Sequence, residues 1–289
     1  MLHVAVTIDV DPDANRAIPG RVDTRSTRDG RVYVEACRRG LDTTASLLDS
    51  LALPGTFFWE ARTLRVLANT DPALVHRLAR HGAREHGCHG LRHEDFSGRE
   101  TGVMPRPTYI RNVLGRATDI LSSILDCGPR GFRAPYCRMT GPVADVLREI
   151  GYRYDASSSR RPGREWQMLP YPLPDGQEVA TLWEVPLMLW RDAEGELISG
   201  YLWRLLENDR PEEHYVRVAR ELADRFPGGL LQLALHPWHL TVDENGHPHD
   251  DPKATRMRLQ HTLENIFSLE NVRFTTVGDF LESHLEALR

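Results

Sequence analysis

The sequence predicts an α/β fold, a distorted (β/α) barrel of seven or eight strands, and three observations lead there. Short apolar runs alternate with amphipathic stretches from one end of the 289 residues to the other, as in a parallel sheet with its helices outside. Seven or eight such units fill a chain of this length as they would fill one barrel. Residues capable of chemistry follow the apolar runs instead of interrupting them, and in such barrels the site lies at the carboxyl ends of the strands.

The elements read in order as follows. Residues 2–8, Leu-His-Val-Ala-Val-Thr-Ile, carry the β-branched side chains that suit a buried pleated surface. Apolar spacing at 33–51 predicts a helix, and 55–59 (Gly-Thr-Phe-Phe-Trp) a second strand. A helix at 73–79, a weaker strand near 84–88 and a helix at 109–125 follow. Next come a strand at 131–134, a helix at 142–150 and a strand at 152–155. The last third offers strands at 182–186, 231–235 and 273–276, with helices at 215–226 and 257–267. Residues 157–177, rich in Arg, Pro and Gly, and 242–251, with Gly, Pro and two histidines, read as loops because strand-like segments resume on both sides. No fixed-period repeat or low-complexity tract divides the chain, so residues 1–289 are expected to form a single catalytic domain.

Composition narrows the function classes. Apolar residues make up 40% and charged residues 27%, an ordinary globular balance, and the formal net charge of -5 argues against nucleic acid as a partner. Lys253 is the only lysine, and the arginines are too scattered to form a patch. No apolar run approaches the roughly 20 residues of a membrane span. The amino terminus enters a strand with no basic leader or apolar signal core, and Cys37, Cys88, Cys127 and Cys137 show no CxxC pairing. A cytoplasmic setting with reduced thiols is expected. A homo-oligomer stays open.

Five strand ends deliver polar residues towards one rim. They are Asp9-Val10-Asp11, His89-Gly90-Leu91-Arg92-His93, Arg133-Ala134-Pro135-Tyr136, Tyr154-Asp155 and Leu235-His236-Pro237. His89 and His93 are four apart, so one helical turn would set both rings on one side. Two imidazoles and a carboxylate, with positions left for water and substrate, make a catalytic metal site, and Asp11 is the natural third ligand. Asp9 then stands close enough to take a proton from the attacking water.

These segments resemble the motifs of the polysaccharide deacetylase family (carbohydrate esterase family four, the NodB homology domain), which appear in the family's order across nearly the whole chain. The resemblance implies that Asp11, His89 and His93 hold a divalent metal, usually zinc, with other first-row metals also used. It implies Asp9 as general base, His236 as general acid and Arg133 as the group orienting Asp9. Asp155 would tune Arg133 or His236, and the Tyr136 N–H would help bind the oxyanion. Val10 separates aspartates that polymer-active members usually place side by side, and Gly90 stands where they carry Ser or Thr. Cys137 replaces a common Gly. In these respects the chain is closer to the cyclic-imide and allantoin-type hydrolases and to the amino-sugar deformylases.

Other residues carry weaker signals. Trp238 is the first candidate for a pocket wall and Trp190 the second, with Cys137 shaping the pocket floor. Trp183 reads as core. His239 reads as rim, His86 as a hydrogen-bonded structural residue, and His247 and His249 as solvated. Arginines at 160–164 offer contacts to an anionic group or simply meet solvent. The expected reaction is metal-assisted hydrolysis of a C–N amide bond, first of all N-deacetylation of an amino sugar. The alternatives are the same chemistry on a cyclic imide, ureide or formamide, and a barrel that binds carbohydrate without turning it over.

Overall fold

Strand β1 (Leu2–Val10) is buried along almost its whole length and organises the sheet. The structure is a computed structural model describing residues 1–12, 18–22, 30–158, 168–173, 181–191, 194–243 and 245–289, without the side chains of 30–33. The further strands are β2 (Gly55–Trp59), β3 (Arg84–Cys88), β4 (Gly131–Phe132), β5 (Tyr154–Asp155), β6 (Tyr171–Pro172), β7 (Trp183–Glu184), β8 (Leu189–Arg191), β9 (Leu197–Ser199), β10 (Leu230–Leu235) and β11 (Val272–Phe274). One edge of β1 pairs in parallel with β10 through His3–Ile8. Its lower half, Leu2–Val4, pairs with β11, and its upper half, Thr7–Val10, with β2. From β2 the parallel order runs β3, β4, β5, β7, and β6 closes that end antiparallel. Strands β8 and β9 form a separate hairpin.

The sheet curls back on itself. Residues 200–202 lie beside β10, where the Ala234 N–H donates to the Gly200 carbonyl at 2.8 Å and the Leu202 N–H to the Ala234 carbonyl at 2.8 Å. The Gln232 amide reaches across to the carbonyls of Val185 and Pro186. The result is a curled, mostly parallel half-barrel, the distorted (β/α) architecture expected.

Helices cover its outside: α1 (Gly30–Ser50), α2 (Ala61–Thr70), α3 (Pro72–Ala79), α4 (Pro107–Leu125), α5 (Gly141–Glu149), α6 (Trp203–Leu206), α7 (Glu212–Arg225), α8 (Pro252–Phe267) and α9 (Val277–Ala287). Each long helix buries one stripe; in α4 it is Ile110, Val113, Leu114, Ala117, Ile120, Leu121 and Leu125, the 3.6-residue spacing of an amphipathic helix. Gly40 in α1 lets that helix touch backbone, for a Cβ there would fall 1.8 Å from the Pro237 carbonyl oxygen.

Several elements differ from the sequence reading. The weak strand at 84–88 is a full strand with both neighbours paired, and its Gly87 admits the Phe58 ring, which a Cβ would meet at 2.6 Å. The run at 131–134 shrinks to Gly131–Phe132 as Arg133 turns into the site, and the run at 152–155 loses its first two residues and keeps Tyr154–Asp155. Helices α2, α6 and α9 and the β8–β9 hairpin are additions to the sequence reading. The loop expected at 157–177 contains β6, and its residues 159–167, with the arginines at 160–164, lie outside the described residues. Among the described residues no helix is long and apolar enough to cross a membrane.

Candidate active site

Strand β1 runs two residues further than the apolar pattern suggested, because Thr7–Val10 pairs with β2. Side chains alternate along a strand, so Thr7, Asp9 and Asp11 share one face while Ile8 and Val10 take the other. All three polar residues are fully buried. The interposed Val10 therefore does not part the two aspartates; it places them on the same side.

Asp9 is held from two directions. Its Oδ1 accepts from Arg133 Nη1 at 2.9 Å and its Oδ2 from the Tyr201 hydroxyl. Burial alone would raise its pKa, yet the Arg133 charge, His89, His236 and the Tyr201 bond together hold it down to about 2. Arg133 is itself fully buried and every arm is used. Nε donates to the Ala156 carbonyl at 2.9 Å, Nη1 also to Thr7 Oγ1 at 2.9 Å, and Nη2 to Gln232 Oε1 at 2.6 Å. The guanidinium also lies over the Phe58 ring, 4.5 Å from its centroid.

Asp11, His89 and His93 each offer one ligand atom, and these atoms all lie within 4.8 Å of one another. A turn, not a helix, joins the two histidines, which corrects the sequence expectation. Gly90 at φ +80° and His93 at φ 55° both adopt left-handed backbone, which folds the chain tightly enough to bring the rings to 5.2 Å. A Cβ at position 90 would also meet Glu94 Oε2 at 2.8 Å, so glycine is required there.

The arrangement suits a divalent cation. His89 Nδ1 sits 2.8 Å from the Arg133 carbonyl, which fixes the ring with Nδ1–H donating and the Nε2 lone pair inward. Among the described residues that buried Nε2 has no hydrogen-bond partner, and it lies 3.6 Å from Asp11 Oδ2. A tetrahedron with bonds near 2.0–2.1 Å has edges of about 3.4 Å. Burial holds the His89 imidazole down to about 4, so it is neutral and ready to ligate at pH 7. Behind the triad, burial pushes Glu60 up to about 8, against its Thr63 bond and helped by Asp11 and Glu94, and burial raises Glu94 too.

His236 follows β10 directly, and its Nε2 lies 3.7 Å from Asp11 Oδ2. Its ring stacks on Tyr201 (5.6 Å, 14°) and on Trp238 (5.4 Å, 29°). Burial, opposed in part by Asp9, holds its pKa down to about 3. His239 is not at the rim: it is 6% exposed, edge-on to His236 at 5.8 Å, with Nε2 3.4 Å from Glu207 Oε1. His249 Nε2 contacts the His239 carbonyl at 2.7 Å, whereas His247 is exposed. His86 is buried and accepts from Trp59 Nε1 at 3.0 Å.

Tyr136 has φ 59° in a one-turn 3-10 helix, Pro135–Cys137, and its ring meets His93 edge-on at 4.8 Å. Cys137 Sγ lies 3.4 Å from the Tyr201 hydroxyl, and this residue lines a cavity of about 680 Å³ with Arg138, Ser158, Tyr171 and Glu184 among others. Burial raises the thiol to about 11, so it stays protonated. Asp155 hydrogen-bonds neither Arg133 nor His236 among the described residues. Its Oδ1 accepts from Ser157 Oγ at 2.6 Å, and that hydroxyl accepts from the Ala134 N–H at 2.7 Å, so Asp155 braces the backbone beside Arg133.

Trp190 is a correction. It is 6% exposed, hydrogen-bonds Glu221 and packs edge-on against Phe226 under Arg225, between β8 and α7, so it walls no pocket at the site. Three residues that the sequence reading missed complete the site: Thr7, Gln232 and Tyr201. Gln232, a lone polar residue inside Leu-Leu-Gln-Leu-Ala-Leu, carried a legible signal, since a buried strand tolerates an amide only where it is hydrogen-bonded. Tyr201 carried none.

A half-barrel whose strand ends converge two aspartates, an arginine and three histidines defines the class: a NodB-type (β/α) barrel with a cation-ready site. Residues 33–154 match the family model of polysaccharide deacetylase, in line with the family resemblance; that stretch takes in His89–His93 and Arg133–Tyr136, while Asp9–Asp11 and Leu235–Pro237 lie outside it. A Mycobacterium smegmatis structure assigned as a polysaccharide deacetylase is similar over 99% of this chain and 91% of its own, at 20% identity and TM-score 0.70. PuuE allantoinase is similar over 99% and 90%, at 17% identity and TM-score 0.69. A Pseudomonas aeruginosa PAO1 structure, also assigned as a polysaccharide deacetylase, is similar over 99% and 91%, at 16% identity and TM-score 0.68. At these identities the likeness establishes the fold. No curated protein matches the chain in sequence.

Proposed function

We propose that this protein is a cation-dependent hydrolase of a non-peptide C–N amide bond, first of all an N-deacetylase of an amino sugar. One observation carries the reading: the Asp11, His89 and His93 donor atoms cluster within 4.8 Å beside an arginine-held Asp9 and next to His236. Asp11, His89 and His93 would hold the metal, zinc by their N,N,O donor set, with other first-row metals also accommodated. When bound, such a cation lowers the pKa of water towards ~7 and polarises a carbonyl.

The remaining steps belong to the chain. Asp9 is ionised near neutral pH and would be the group that accepts a proton from the attacking water. Arg133 keeps the carboxylate aimed and in its charged form. His236 rests neutral, takes up a proton during turnover through its 22% exposed edge, and passes it to the leaving nitrogen. Tyr136, in its left-handed turn beside His93, would offer its N–H to the developing oxyanion. The cavity behind Cys137 would take the body of the substrate, with Trp238 covering His236.

The same machinery would open a cyclic imide or ureide or remove a formyl group, and the architecture shared with PuuE allantoinase supports keeping that second reading. The test uses zinc-loaded protein with an N-acetylglucosamine tetramer, N-formylglucosamine and allantoin, following acetate, formate and ring-opened acid. Asp9→Asn should retain zinc and lose turnover, and His93→Ala should lose both. Zinc-replete protein that releases none of these products would overturn the proposal, as would an Asp9→Asn variant with normal turnover.

A further inference from the structure

Tyr201 touches both residues to which the proposed chemistry gives proton transfer, and no motif marks it. Residues 200–202 are pinned to β10 by the two bonds with Ala234, and a Cβ at Gly200 would come within 2.3 Å of the Gln232 carbonyl oxygen, so glycine makes this approach feasible. The same strand delivers His236 two residues past Ala234. Tyr201 and His236 are thus fixed to one stretch of backbone.

Two consequences follow from the contacts. A carboxylate gripped at one oxygen can still swing about its Cβ–Cγ bond; Arg133 on Oδ1 and the Tyr201 hydroxyl on Oδ2 stop that motion for Asp9. Neither ring nitrogen of His236 makes a hydrogen bond among the described residues, and its Nδ1 is buried, so its orientation rests on ring packing. The Tyr201 ring lies nearly parallel to it, at 14° and 5.6 Å. We propose that Tyr201 is a positioning residue for the hydrolysis, its hydroxyl aiming Asp9 and its ring setting the plane of His236, so that both face one substrate bond. This inference rests on the reading of Asp9 and His236 given under Proposed function.

The experiment compares Tyr201→Phe, Tyr201→Leu and Asp9→Asn, zinc-loaded, on the same three probes. Tyr201→Phe removes only the hydroxyl and should lower kcat at least about tenfold while KM stays within about twofold. Its zinc content should match that of the unaltered protein, and in the Asp9→Asn background it should lower the residual rate no further. Tyr201→Leu should lose more, and should also shift the His236 ring-proton NMR resonances while leaving those of His86 in place. Full kcat in Tyr201→Phe, or losses that multiply with Asp9→Asn, would overturn the inference with the base reading intact. Normal turnover by Asp9→Asn would remove the base reading itself, whatever Tyr201→Phe shows. No product from the unaltered protein would remove both.

Discussion

Gly40 and Gly115 both lie inside long helices, yet the same substitution should act with opposite sign at the two positions. Replacing a mid-helix glycine by alanine ordinarily gains up to about 1 kcal/mol by restricting the unfolded chain. Gly115 has nothing within 4 Å of its would-be Cβ, so Gly115→Ala should show that gain. At Gly40 the Cβ would lie 1.8 Å from the Pro237 carbonyl oxygen, 2.5 Å from its carbonyl carbon and 3.3 Å from its Cα. Relief requires an opening of about 1.5 Å between two backbone segments, and overpacking of that kind costs about 1–3 kcal/mol or more. At roughly 2 °C per kcal/mol for a chain of this size, Gly40→Ala should melt about 2–6 °C lower and Gly115→Ala about 2 °C higher. Pro237 follows His236 directly, so Gly40→Ala should also cut turnover about 10²-fold, since a displacement near 1 Å at a catalytic group has that effect. Thermal unfolding by circular dichroism, with the two variants side by side, decides the matter. If Gly40→Ala melts at or above Gly115→Ala, α1 does not fix the His236 segment by contact and the reasoning fails.

Two further outcomes are expected. Arg133→Lys offers one nitrogen where the guanidinium serves Ala156, Thr7, Asp9 and Gln232, so buried acceptors go unmet and urea unfolding should show a loss of about 2–5 kcal/mol; a loss under about 1 kcal/mol would refute the network's role. Burial holds His86 down to about 4 from 6.5, so between those values the unfolded chain binds the proton and the folded chain does not, and stability falls as pH drops through that window. The ceiling is about 3 kcal/mol for His86 alone, and His86→Gln, which can still accept from Trp59, should lessen the fall in urea midpoint between pH 6.5 and 4. An unchanged slope would show that His86 is not among the responsible groups.

The sequence by itself determined the class of fold and the order of most strands, and it singled out the six residues to which the proposed chemistry gives ligand, base, acid and orienting roles. It could do so because burial writes apolar runs into a strand, and polar residues placed just after such runs have few structural reasons to be there. Only the tertiary structure decided which side chains meet. The turn through Gly90 and His93 cannot be told from a helical turn by spacing alone. Trp190 and Trp238 both read as pocket-wall candidates, yet one packs against Phe226 and the other against His236. Tyr201 reaches Asp9 across 192 positions, carried there by a short backbone pairing that leaves no periodic trace in the sequence. Periodicity records which face of an element is buried; the partner on the far side of that face is set by how the sheet curls.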